Sequence, residues 1–159
     1  SITYAFTDSK KQSDLLGDLS ALSSSGLRTT DKPIKLVNPL SAELDVMRTS
    51  LAPGLLQVIS HNVNHGIDAG RIFETGFSYF SEKNDFTEEW RLGLAAWGDR
   101  EKVWNTEAPL VLKIRESIEN ILKMFGGSGF VWKNDADKPS FLHPGQSATL
   151  FYEGKTVGY

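Results

Sequence analysis

Residues 71–98 read RIFETGFSYFSEKNDFTEEWRLGLAAWG. Arg71 to Phe80 is rich in β-branched and aromatic residues and reads as a long strand. Trp90 to Gly98 reads as another. The polar run Ser81-Glu82-Lys83-Asn84-Asp85 between them is a turn, so the two strands form an antiparallel hairpin with a longer loop. A connection this short cannot join parallel neighbours, which need a crossover of a dozen residues or more. The hairpin therefore decides the fold class in favour of an antiparallel sheet.

Amphipathic helices lie on both sides of the hairpin. Before it, Ser50 is placed to cap a helix and Pro53 falls in the first turn, where its missing N–H does no harm. Leu55, Leu56, Ile59 and Val63 recur at helical spacing, with Leu56 expected in the core. Asn64-His65-Gly66 supplies the stop, Gly66 being suited to a left-handed cap. After the hairpin, Pro109 to Phe125 carries Leu110, Ile114, Ile118, Ile121, Leu122 and Phe125 on one face. Lys113, Glu116, Glu119 and Asn120 lie on the other, and Gly126-Gly127 stops the helix.

Further out, Ile2 to Thr7 reads as a strand, and Asp8 or Ser9 can cap a short helix through Leu15 and Leu16. Ser20 to Lys32 is a polar surface loop, and Ile34 to Val37 a short strand ended by Asn38-Pro39. Phe130 to Lys133 is a strand. Ala148 to Tyr152 and Lys155 to Val157 form a last hairpin around Glu153-Gly154. Strands and helices mix without regular βαβ alternation, which predicts an α+β fold, an antiparallel β-sheet flanked by helices. A chain of 159 residues is about one domain long, and residues 1–159 are expected to form a single domain.

Composition narrows the function. No cysteine is present, which excludes disulfides, thiol catalysis and thiolate metal sites. Seventeen Lys and Arg against twenty Asp and Glu leave a net charge of -3, unlike a general polyanion binder. No run is apolar for long enough to cross a bilayer, and Ser1 to Phe6 lacks the basic start of a signal peptide. The missing initiator Met suggests a start inside a longer protein.

The run Asn38-Pro39-Leu40-Ser41-Ala42-Glu43-Leu44-Asp45-Val46-Met47-Arg48-Thr49-Ser50-Leu51-Ala52-Pro53-Gly54-Leu55-Leu56 closely resembles the β chains of bacterial-type phenylalanyl-tRNA synthetases. Ile2-Thr3-Tyr4-Ala5-Phe6, Arg71-Ile72-Phe73-Glu74-Thr75-Gly76 and Leu142-His143-Pro144-Gly145-Gln146-Ser147-Ala148 resemble the same family in the same order. The resemblance covers nearly the whole chain. It implies a class II aminoacyl-tRNA synthetase catalytic-domain-like fold that is itself noncatalytic. Phenylalanine activation then belongs to a separate α subunit, and the site that hydrolyses mischarged tRNA to another part of the β chain. This region is expected to pack against the α subunit and the rest of the β chain in a cytoplasmic heterotetramer that charges tRNA(Phe). The full enzyme would use ATP and magnesium, and this fragment no cofactor. The family motif marks Arg48, Thr49, Pro53, Glu74, Gly76, His143, Pro144 and Gly145 as motif or interface candidates.

The residues themselves test the noncatalytic expectation. Adenylate formation needs cations around the α-phosphate. Class II enzymes place one Arg in a strand–loop–strand unit and another on a later Gly-rich helix. The matching unit here, Ile72 to Trp97, holds no Arg between Phe77 and Trp90, only Lys83, and no Arg follows Arg115. A lysine does not reproduce a bidentate guanidinium. His61 and His65 have metal-compatible spacing, but helix C-terminal residues favoured by the dipole are the better reading. His143 can be weighed as a general base, with turn support preferred. Asp45, Glu43 and Glu74 can be weighed as a carboxylate set, though scattered acids are usually solvated or paired. For Arg48 a structural ion pair, for example with Glu74, is the first choice. Gly126-Gly127-Ser128-Gly129 follows a helix instead of opening one, so it is a loop and not a phosphate cradle. Two other readings stay open: a free-standing ATP-dependent ligase, and a binding module for tRNA or another protein.

Overall fold

The computed structural model describes residues 3–16, 33–82, 85–98, 109–134, 142–143 and 145–159. In chain order the elements are β1 (Phe6–Thr7), α1 (Ser9–Leu16), β2 (Val46–Met47), α2 (Ala52–Asn64), β3 (Gly70–Glu82), β4 (Asp85–Trp97), α3 (Leu110–Met124), β5 (Phe130–Lys133), β6 (Thr149–Tyr152) and β7 (Lys155–Gly158). The expected α+β mixture is present. Among the described residues the strands form three small sheets, β1-β2, β3-β4 and β5-β6-β7, where one antiparallel sheet was expected.

The central hairpin is longer than its apolar runs. β4 begins at Asp85 and not at Trp90, with exposed Phe86, Glu88 and Trp90 alternating with half-buried Thr87 and Glu89 along the strand. The last hairpin turns at Glu153 and Gly154, with φ of 48° and 78°, the left-handed pair that a two-residue connection requires. The first strand is shorter than expected, limited to Phe6–Thr7. The segment at Ile34 to Val37 contributes one bridge, Lys35 to Val46, instead of a strand. The serine-rich loop, Ser20 to Lys32, lies outside the described residues.

Helix ends follow their chemistry with one exception. Asp8 caps α1, its Oδ1 accepting from the Lys10 and Lys11 N–H groups at 2.8 and 3.2 Å. α2 and α3 close alike. The Ile67 N–H donates to the Asn62 carbonyl across Gly66, and the Gly127 N–H to the Leu122 carbonyl across Gly126. Gly66 and Gly126 have φ of 80° and 73°. Ser50 is the exception. Leu51, one residue later than expected, holds the N-cap position of α2. Leu51 is buried beneath this first turn, and packing sets the helix start where a cap was expected.

The described residues divide into two compact units. One takes those of Ser1–Thr3, Leu51–Gly76 and Arg91–Ser128; the other takes those of Tyr4–Ser50, Phe77–Trp90 and Gly129–Tyr159. In the first unit α2 packs Leu51 and Leu55 against Gly93 of β4. Leu55 is 4% exposed and Leu56 44% exposed, so Leu55 holds the core position expected of Leu56. The apolar stripe has the expected period, but its centre lies one residue earlier. On α3 the expected face is half-buried except for Phe125, which is 86% exposed at the helix end. In the second unit Val46 and Phe80 are completely buried.

Candidate functional site

The residues marked by the sequence fall into three clusters, each within one unit. The first surrounds the start of α2. Glu74 points inward from β3 and is 2% exposed. Both of its carboxylate oxygens lie 2.9 Å from the Thr3 hydroxyl, which donates. Thr3 in turn lies against Gly54: a Cβ at Gly54 would stand 2.7 Å from Thr3 Oγ1. The bare backbone of Gly54 thus lets the segment at Thr3 press against the helix while its hydroxyl reaches Glu74. Pro53 occupies the first turn as expected. Gly76 is buried in the same strand as Glu74.

The second cluster surrounds Arg48. Its Nε donates to the Phe77 carbonyl at 2.9 Å, its N–H to the Ala5 carbonyl at 2.9 Å, and its carbonyl accepts from the Tyr79 N–H at 2.9 Å. Arg48 therefore ties the chain near β1 to the outer half of β3. Next to it, the Thr49 N–H donates to Gln12 Oε1 at 2.9 Å, and Gln12 is buried at 4% exposure. Asp45 receives both the N–H and the hydroxyl of Ser9 at 2.8 Å, pinning the first residue of α1. Those two bonds, the backbone one foremost, hold its carboxyl below the ordinary carboxylate range, and Lys35 adds attraction. Glu43 is exposed. Of the three acids weighed as a catalytic set, Asp45 and Glu74 are committed to hydroxyl or backbone donors.

The third is the turn at His143. Its Nδ1 accepts from the Gly145 N–H at 3.1 Å, and its carbonyl accepts from the Ser147 hydroxyl at 2.7 Å. An acceptor Nδ1 is unprotonated, so in the neutral ring the proton sits on Nε2. The geometry is that of a turn support. Pro144 lies outside the described residues. At the end of α2, His65 Nδ1 lies 2.7 Å from the His61 carbonyl and the two rings are 4.1 Å apart. His65 thus serves a carbonyl of the last turn. No group of three or more His, Asp or Glu among the described residues could hold a metal.

A small cleft of about 120 Å³ opens between the base of the central hairpin and α3, lined by Arg71, Ile72, Phe73, Leu94, Ala95, Ala96, Lys113, Ile114 and Ser117. Small-molecule sites usually measure roughly 300–1,000 Å³, so this one is too small for a nucleotide. Thr3 and Gly54 stand within the segments that resemble the family but are not singled out there, and Gln12 is not marked. Their pairing leaves no local signal, since Thr3 and Glu74 are 71 residues apart along the chain.

The whole chain, residues 1–159, matches the family model described as the phenylalanyl-tRNA synthetase β chain CLM domain. It is similar to the phenylalanine–tRNA ligase β subunit of Bdellovibrio bacteriovorus, 41% identical over 99% of this chain and 20% of that protein. To the corresponding subunit of Pseudomonas putida it is 33% identical over 99% of this chain and 19% of the relative. The Coxiella burnetii subunit is 29% identical over the same shares. The chain spans about a fifth of the length of the curated relatives it matches.

Proposed function

The chain belongs to the β-chain family of phenylalanyl-tRNA synthetases, and from that premise we propose that it is an assembly module that carries out no adenylation itself. In this reading it has a class II catalytic-domain-like architecture and packs against the catalytic α subunit and the rest of the β chain. The assembled cytoplasmic enzyme charges tRNA(Phe) with phenylalanine using ATP and magnesium, bound outside this module.

The observation that carries the reading is the apolar stripe of α2, only part of which is buried. The helix buries Leu55 against β4. On the flank beside it Leu56 (44%) and Val63 (46%), seven residues apart, lie in one line along the helix and stay exposed. Ile67, just past the helix end, is also exposed (46%). An exposed apolar line flanking the packed edge of a helix suits the centre of a protein interface. The buried carboxylate of Glu74 on β3 is engaged by the Thr3 hydroxyl, a structural and not a catalytic use of the acid.

Pyrophosphate exchange tests the chemical half of the proposal. The purified chain with phenylalanine, ATP and magnesium should exchange no label above background, while the whole synthetase does. Exchange by the chain alone would overturn it.

A further inference from the structure

The end of α2 carries a pair of imidazoles that the fold leaves in solvent. His61 and His65 are both exposed. Four residues apart, they stand on one face of the helix end, one turn above the other. Their ring centroids are 4.1 Å apart and the ring planes are tilted by 33°. His65 Nδ1 lies 2.7 Å from the His61 carbonyl. A carbonyl only accepts, so Nδ1 carries the proton and the lone pair of the neutral ring sits on Nε2. The same bond fixes the direction of the ring. One ring nitrogen donating to a backbone carbonyl while the other stays open is how proteins orient a metal-binding histidine. The negative end of the helix dipole lies at this turn and favours a cation there.

We propose that His61 and His65 form a surface chelate for one late transition-metal ion of tetragonal preference, Cu(II) foremost, with water at the remaining corners. The ring spacing makes the choice. With metal–nitrogen bonds of about 2.0 Å, imidazoles on adjacent corners of a square hold their centroids roughly 4.5 Å apart, and tetrahedral ones more than about 5 Å. The pair at 4.1 Å is nearer the square. That is the geometry Cu(II) and Ni(II) adopt, and Cu(II) binds most tightly of the divalent series. Magnesium takes oxygen donors and keeps its waters, so it does not compete for two imidazoles. The inference does not rest on the assembly reading above. At about 100° per residue, His61 and His65 lie roughly 140–180° around the helix from Leu56 and Val63. A partner seated on that apolar line leaves the imidazoles uncovered.

The test adds Cu(II) to the intact synthetase, in a buffer that does not bind copper, and to the same enzyme with His61→Gln, His65→Gln or both in β. Isothermal titration should count one more strong equivalent per β chain in the natural enzyme than in the double variant. Either single substitution should weaken that equivalent tenfold or more, since one imidazole alone forms no chelate. Electron paramagnetic resonance of that equivalent should show a tetragonal signal coupled to two nitrogens, and excess magnesium should leave it unchanged. His61→Gln keeps the His65–carbonyl bond, so a loss there is the loss of a donor and not of the helix end. Equal stoichiometry in the natural and double-variant enzymes would overturn the inference. So would a twofold or smaller effect of each single substitution, which would put the ion on one ring or elsewhere. Displacement by magnesium would overturn it too.

Discussion

At the residue scale, Gly54 shows two opposed effects of known size. Replacing a helix-interior glycine with alanine stabilises by about 1 kcal/mol through backbone entropy. Here the new Cβ would stand 2.7 Å from Thr3 Oγ1 and 3.1 Å from its Cβ and Cγ2. Overpacking of this kind costs about 1–3 kcal/mol. Gly54→Ala is therefore expected to be destabilising in the natural sequence and stabilising by about 1 kcal/mol in a Thr3→Gly background, a sign change that urea unfolding of the four variants would register. Asp45 gives a pH test. Its folded-state pKa is lowered, so the unfolded chain takes up the proton first as pH drops. The stability it adds is complete above the unfolded value, about 3.9, and is lost as pH falls through the lower folded one. The stability gap between the natural chain and Asp45→Asn should thus be constant near neutrality and shrink below about pH 4; a gap that widens with acid would contradict the Ser9 pairing.

At the element scale, what the sequence shows is period and punctuation. Asp8, Gly66, Gly126 and Glu153-Gly154 act through their own backbone neighbours, and each stands where local chemistry places it. Phase is not local. Leu55 and Leu56 fit a helical stripe equally well, and only the space above Gly93 selects Leu55 for the core. Ser50 has the right chemistry for a cap, yet the burial of Leu51 moves the helix start past it. The Thr3–Glu74 bond has no local signal at all. The measurable consequence is that Leu55→Ala should cost about 2–5 kcal/mol, while Leu56→Ala in the unassembled chain should cost well under 1 kcal/mol. Equal losses in a denaturant titration would return Leu56 to the core.

At the scale of the whole molecule, the marked residues divide their work. Glu74, Thr3, Arg48, Gln12 and Asp45 hold segments in place through paired polar groups, and among the described residues none of them lines a cavity large enough for a nucleotide. Among the described residues, Leu56 and Val63 leave an apolar line exposed along α2. The resemblance legible in residues 38–56 pointed to the family. The exposed side of α2 could be seen only once the packed side was known.

In the proposed assembly, the exposed line of α2 meets the α subunit. Sedimentation velocity of α mixed with full-length β carrying Leu56→Asp and Val63→Asp measures it most directly. The expected result is a correctly folded β that no longer co-sediments with α. An intact heterotetramer at subunit concentrations near those in the cell would contradict it.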